Sequence, residues 1–472
     1  MIYDALDPSV ALNRNADIAI VGSGPAGITL ARALGAHYSV LLLEAGGNEA
    51  SSAGDDCLAG YVSGLHYPLT ETRARQLGGA TALWAGYCAV FDPIDFDTRP
   101  WVVNSGWPLD AAELIEHYWE AAKRLHVRDG CFDPNAFEAH GEYVFLRLDD
   151  NNFLPGIWRF GEPKADFAGE NRHFLERSDS IDVLINGCVT SIQLTDDGDT
   201  VARLTVRTLA GASGTITAKY FIIAAGGIET PRLMLASKDR SPEGVGNAHD
   251  NVGRWFMEHP HVSVEGIELA PNPALARWTG VASTRDGRKF TYCAGLRADA
   301  QARLGVLNAR AHFYRTPAMD ANAAPRVGLF FEQAPNASSR LTLTSEKDGF
   351  GLSRVRLHWE LSEIDRRSHR IFGDLLADCL LRNGIGMLTG SVGVSDEILH
   401  SNHQLGTTRM SKHPRDGVVD ENCKVHGIDN LYIAGGSVLP TVSWANPTVT
   451  VLALTLRLAR HLVDQLGNRM AS

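Results

Sequence analysis

The chain is 472 residues long, 44% hydrophobic and 21% charged, the proportions of a globular protein too large for one simple core. A net charge of −11, with acidic and basic residues interspersed, argues against a nucleic-acid groove, and no apolar run is long enough to cross a bilayer. Met1-Ile2-Tyr3-Asp4-Ala5 lacks the basic-then-apolar order of a secretory signal, and the 7 cysteines are scattered without a C-x-x-C pair, so the cytoplasm is the expected compartment.

The first element in chain order is a short apolar run, Asp17 to Val21, with the profile of a buried parallel strand. It opens into Gly22-Ser23-Gly24-Pro25-Ala26-Gly27, a complete G-x-G-x-x-G, followed by helix-forming residues through Leu34 and a second buried run, Val40 to Leu43, that ends at Glu44. Dinucleotide binding asks for each glycine: Gly22 for the tight turn, Gly24 for approach of the pyrophosphate to the backbone, Gly27 for close packing of helix on strand. The N–H groups that open the helix then face the phosphates. Glu44 stands about twenty residues beyond the loop, where a carboxylate binds ribose hydroxyls and repels a 2′-phosphate. Such a loop serves FAD and NAD alike.

The aromatic-rich stretch 105–175 holds one clear helix, Ala111 to Leu125. Tyr220 to Ala225 predicts another strand of the nucleotide sheet, running into Gly226-Gly227 and a helix that begins near Thr230-Pro231. Further on, Arg310 to Tyr314, Arg326 to Glu332, Arg340 to Thr344 and Arg354 to Leu361 are runs of β-formers between turn clusters, followed by a helix from Ile364 to Arg382. Leu431 to Ala434, running into Gly435-Gly436, returns to the first sheet. The periodic apolar segment Val449 to Leu466 is a helix buried against it. Asn446-Pro447 reads as that helix's N-cap and first helical position. The expected fold is α/β. A Rossmann-like nucleotide domain is assembled from the discontinuous segments 1–104, 176–262 and 396–472. Residues 263–395 form a strand-based substrate domain with helical cover, and 105–175 a cap and substrate-domain segment.

Taken together, these stretches resemble the glucose–methanol–choline (GMC) oxidoreductase family. The likeness rests on the dinucleotide loop with Glu44; on Leu77-Gly78-Gly79-Ala80-Thr81-Ala82-Leu83-Trp84; and on Ala224-Ala225-Gly226-Gly227-Ile228-Glu229-Thr230-Pro231-Arg232-Leu233. The C-terminal block completes it: Asn402-His403-Gln404-Leu405-Gly406-Thr407-Thr408-Arg409-Met410, Val419-Asp420, Asn430-Leu431-Tyr432, Gly435 to Pro440, and Ala445-Asn446-Pro447-Thr448. The chain is most similar to the compact bacterial branch of sugar dehydrogenases and pyranose-oxidase-like enzymes. The resemblance implies FAD, held by Gly22, Gly24, Pro25, Ala26, Gly27, Glu44, Ala45, Gly78, Gly79, Thr81, Trp84, Ala225, Gly226, Gly435, Gly436, Asn446, Pro447 and Thr448. Where covalent flavin is attached in pyranose-oxidase-like members, a His precedes the Trp of the second motif. Leu83 stands there instead, which implies a noncovalent cofactor. Many longer members also carry an Asp where this chain has Gly436.

Oxidising an alcohol removes a proton from oxygen and a hydride from carbon, and a neutral imidazole has a pKa suited to taking the proton. By resemblance His403, in a Gly/Thr-rich loop, is that base; a structural histidine bonded to backbone is the alternative. Asn446 is by resemblance the partner at the substrate hydroxyl, and its local sequence as a helix cap is compatible with that role if different atoms serve the two. The helix start behind it favours the negative charge of reduced flavin. His259, in Met257-Glu258-His259-Pro260, lies near the flavin by resemblance, with packing an equal alternative, and Trp84 and Trp444 line a pocket or fill the core. His400, His403 and His413 make no metal set, and the absence of G-x-S-x-G speaks against a serine hydrolase. The expected activity is FAD-dependent oxidation of a primary or secondary hydroxyl of a sugar, glycoside, cyclitol or similar polyol. Its electrons pass to oxygen, a quinone or a protein. The alternatives are a redox-silent FAD-containing lyase of the same family and a catalytic subunit that feeds a partner protein.

Overall fold

The computed structural model describes residues 1–138, 144–149, 151–264, 267–269, 278–314, 325–388 and 398–470. Its larger sheet has 8 strands, in the order Ile2–Asp4, Ile181–Ile185, Val40–Leu43, Arg14–Val21, Ser213–Ile223, Val201–Arg207 and Cys188–Leu194, with Leu431–Ile433 beside the far end of Ser213–Ile223. Ile2–Asp4 through Ser213–Ile223, and on to Leu431–Ile433, all run parallel, whereas Val201–Arg207 and Cys188–Leu194 form an antiparallel meander. Parallel strands covered on both faces must be apolar throughout, and Val40–Leu43 and Ile18 to Val21 are buried at every position. Ser213–Ile223 serves both halves: residues 213–216 pair with the meander and residues 221–223 with Leu431–Ile433. The helices Pro25–Leu34 and Thr448–Met470 pack against each other, and Thr448–Met470 packs on Ala112–Arg124 as well, where Tyr118 and Thr450 share a hydrogen bond of 3.1 Å.

The helix expected to start near Thr230-Pro231 starts at Gly226 and runs to Ala236 with Pro231 inside it. Proline lacks the N–H that would bond the carbonyl four residues back, so the Gly227 carbonyl is freed. Thr407 fills the gap, its hydroxyl donating to that carbonyl at 2.6 Å.

A second, antiparallel sheet has 7 strands: His261–Val264, Arg326–Phe331, Ala309–Tyr314, Lys289–Leu296, Phe153–Phe160 and Tyr87–Cys88 in order, with Val281–Ser283 on Lys289–Leu296. Its outer face, including Phe153, Phe313 and Phe331, is covered by Phe372, Leu376 and Leu380 of the helix Glu363–Arg382. Its inner face carries Trp158, His312 and Phe330 toward the C-terminal block, where the Trp158 and Trp444 rings stand 5.0 Å apart.

Two of the four β-runs expected in this sheet lie elsewhere. Arg340–Lys347 pairs with Ser353–Trp359, which pairs in turn with Gly60–Gly64, and both pack on the helix Gly226–Ala236. The reason is burial: Leu341, Val355, Leu357 and Trp359 close the same core as the nucleotide strands. β-Propensity marks a strand without naming its partner. Among the described residues no helix is long and apolar enough to cross a membrane.

Candidate active site

A cavity of about 430 Å³ runs from the loop Gly22 to Ala26 and Glu44 to His403 and Asn446. Three glycines shape its first end. Gly22 has φ +102°, and a Cβ there would meet the Ala224 carbonyl oxygen at 2.5 Å; one on Gly27 would meet the Gly22 oxygen at 1.8 Å. At Gly24 nothing lies within 4 Å, so bare backbone faces the cavity at the N-terminus of the helix Pro25–Leu34, which no side chain caps. Glu44 closes the loop, accepting from Ser23 N at 3.1 Å, Ser23 Oγ at 2.5 Å and Gly46 N at 2.8 Å. Burial raises its carboxyl, and those donors pull the other way.

Most residues expected at a cofactor line this cavity, including Ala45, Gly79, Thr81, Trp84, Ala225, Gly226, Gly435, Gly436, Pro447 and Thr448. Gly27 and Gly78 do not. Gly27 holds helix to strand, and Gly78 packs on Ala168 while its N–H donates to the Ser23 carbonyl at 3.1 Å. Leu83 lines the wall at the position of the covalent His, and hydrocarbon forms no such link. At Gly436 a Cβ would stand 2.5 Å from Leu405 Cδ2, so the Asp of longer relatives would require the Leu405 side chain to move. Arg73, Arg75 and Glu229, which sequence reasoning did not single out, also line the cavity.

At the other end, His403 and Asn446 meet. His403 Nε2 is 3.4 Å from Asn446 Nδ2, and Asn446 Oδ1 accepts from Trp158 Nε1 at 3.0 Å. The expected cap is therefore not made by this side chain. The helix begins at Thr448, Val451 N donates to the Pro447 carbonyl at 2.8 Å, and the Asn446 amide is taken up by Trp158 and His403. His403 Nδ1 lies 2.7 Å from His259 Nδ1, and His259 Nε2 lies 2.8 Å from the Val442 carbonyl. Burial pulls His259 down to about 4, and burial followed by the neighbouring His259 holds His403 well below the usual histidine value. Glu258 is buried beneath both, accepting from His259 N at 2.7 Å, Ser401 N at 3.1 Å and His403 N at 3.0 Å. Burial raises its carboxyl, against those backbone donors. Ligand atoms of Glu258, His259 and His403 lie within 4.8 Å of one another, yet each is already bonded within the protein. Trp444 is core, with its indole N–H on Asp92 Oδ2 at 3.0 Å.

Residues 335–455 match the sequence profile of the GMC oxidoreductases. This C-terminal part of the chain carries the GMC oxidoreductase signature. Among its relatives, the fructose dehydrogenase large subunit of Gluconobacter japonicus is 31% identical over 53% of this chain and 48% of that protein, so the match spans about half of it. The C-glycoside 3-oxidase of Microbacterium trichothecenolyticum is 26% identical over 97% of this chain and 98% of its own. A formate oxidase structure shares the fold, with a TM-score of 0.64 and 18% identity over 97% of this chain and all of that one. The cofactor of this family is FAD, and the cavity fits it. Gly24, Gly226 and Gly435 leave open space where any Cβ would intrude, beside the Glu44 carboxylate. Because Leu83 offers no attachment, acid precipitation of the purified protein is expected to leave all of the yellow flavin in the supernatant. Flavin that stays with the pellet would overturn noncovalent binding.

Proposed function

We propose that this protein oxidises a primary or secondary hydroxyl of a sugar, glycoside, cyclitol or similar polyol to the carbonyl, with His403 as the base. The observation that carries this reading is the meeting of His403 Nε2 and the Asn446 amide on the wall that also holds the dinucleotide loop. FAD, when bound, accepts the hydride. The chain's own residues do the rest. His403 Nε2 takes the hydroxyl proton, and the Asn446 amide holds the hydroxyl oxygen as negative charge grows on it. The positive end of the helix Thr448–Met470, whose Pro447 and Thr448 line the cavity, favours negative charge there. The fructose and C-glycoside named for the relatives support a carbohydrate substrate. Electrons then pass to oxygen, a quinone or a protein. The 7 cysteines are all unpaired, which suits the reducing cytoplasm.

Anaerobic mixing of the holoenzyme with a panel of sugars, glycosides, cyclitols and simple alcohols tests the reading. At least one carbohydrate is expected to bleach the flavin, and re-oxidation by oxygen against a quinone then identifies the acceptor. Consumption of substrate with the flavin left oxidised would replace this reading by the lyase one.

A further inference from the structure

Indole N–H can only donate and a backbone carbonyl can only accept, and the two stand at opposite ends of one chain of hydrogen bonds through the catalytic pair. We propose that Trp158 and His259 are positioning residues: Trp158 turns the Asn446 amide so that it presents N–H, and His259 sets the tautomer of His403 so that it presents a bare Nε2, both toward the same substrate oxygen. This rests on the reading of His403 as the base.

Polarity follows by elimination from the first end. The Val442 carbonyl, 2.8 Å from His259 Nε2, requires hydrogen on that nitrogen. A neutral imidazole carries one hydrogen, so His259 Nδ1 is an acceptor. His403 Nδ1, 2.7 Å away, must then donate, which leaves His403 Nε2 without hydrogen. From the second end, Trp158 Nε1 donates at 3.0 Å, so the Asn446 atom it meets is the oxygen, and Nδ2 is the atom 3.4 Å from His403 Nε2. The two derivations agree where they meet, an N–H facing a lone pair. A flipped amide would set its NH2 against the indole N–H of Trp158, which is 2% exposed.

This polarity suits one oxygen that must play two parts. A substrate hydroxyl between the residues accepts from Asn446 N–H while its own hydrogen points at His403 Nε2. As the proton moves to Nε2 and the C–H electron pair leaves as hydride, the oxygen stays bonded to the amide until the carbonyl has formed. The same arrangement opposes premature protonation, because Nε2–H would face Asn446 N–H.

Two measurements test this, one of which needs no turnover. In holoenzyme labelled with 15N-histidine, the signal lost in His403→Ala identifies His403; it is expected to show hydrogen on Nδ1 and a bare Nε2 at neutral pH, with His259 the reverse. Hydrogen on His403 Nε2 would overturn the proposal, even if no alcohol in the panel proved a substrate, an outcome that would instead remove the functional reading. The second is Trp158→Phe, which keeps a ring against Trp444 and Phe330 but removes the donor. The amide is then free to flip, and its oxygen accepts from protonated Nε2. We expect kcat/KM to fall about tenfold and its acid limb to move to higher pH. The titratable groups facing His403 are His259 and Glu258, with Tyr67 behind Glu258, and the variant alters none of them. A merely structural Trp158 would cost stability or flavin content without moving the limb, and an unmoved limb would overturn its assigned role.

Discussion

Replacing His403 by alanine is expected to lower kcat/KM for anaerobic flavin reduction about a thousandfold while the protein keeps its flavin. The size follows from the role. A positioned base contributes about a hundred- to ten-thousandfold in rate, and among the described residues His403 is the one histidine lining the cavity. The flavin stays because the cofactor wall is built largely from backbone around Gly24, Gly226 and Gly435 and from Glu44. The pH profile makes the expectation sharper. Burial and then His259 hold His403 well below 6.5, so the base is already free at neutral pH. The deprotonated fraction drops only as pH falls through that lowered value. The acid limb of kcat/KM must therefore lie below pH 6.5 in the parent and be lost in His403→Ala. A variant as fast as the parent, or a parent limb at or above pH 6.5, would remove His403 from the chemistry.

The dinucleotide loop was legible in sequence because its geometry is local, whereas His403 was singled out by resemblance alone. A G-x-G-x-x-G between two apolar runs can fold in few ways, and Gly22, Gly24 and Gly27 each stand where the turn, the open backbone and the close packing need them. The parallel strands were equally readable, since burial on both faces leaves an unbroken apolar run. Trp158 was not readable. It sits on Phe153–Phe160, and its partner Asn446 is 288 residues away, a meeting that no local pattern encodes. His259 was ambiguous for a related reason: packing and positioning ask for the same buried imidazole, and only the 2.7 Å contact to His403 separates them. Asn446 shows the opposite failure. Its sequence fits a helix cap so well that propensity pointed the amide at the helix, and tertiary contacts took it instead. Arg340–Lys347 and Ser353–Trp359 were recognised as strands and grouped with the substrate domain, because sequence does not show which core an apolar face closes.

The largest loss of stability is expected from Glu229→Gln, at about 3–5 kcal/mol by urea unfolding of the holoenzyme at pH 7. Glu229 bonds Arg73, Arg75 at 3.0 Å and Arg232 at 3.1 Å, and Arg232 also reaches Asp348 at 2.7 Å. Three guanidiniums, exposed by 7%, 6% and 2%, thus share two carboxylates, and Glu229 is the one that touches all three. Removing its charge leaves Arg73 and Arg75 buried without a counter-ion, which costs more than the pairs themselves are worth. Titration gives the same scale. Burial penalises the Glu229 charge, but Arg232, Arg75 and Arg73 outweigh it and hold the carboxyl down to about 2 against 4.5 for the unperturbed group. A shift of that size is worth roughly 3 kcal/mol. Because the folded value is the lower one, that stability is present above pH 4.5 and is lost as pH falls toward 2. The parent should therefore weaken across that interval, and the variant should lack this part of the decline. Arg460→Ala gives the contrast. Its pair with Glu116 spans 2.7 Å, but both side chains are 64% exposed, so its loss should be within about 1 kcal/mol. A Glu229→Gln variant no less stable than Arg460→Ala would mean that the cavity wall tolerates two unbalanced arginines, and that the cluster does not hold this end of the nucleotide site together.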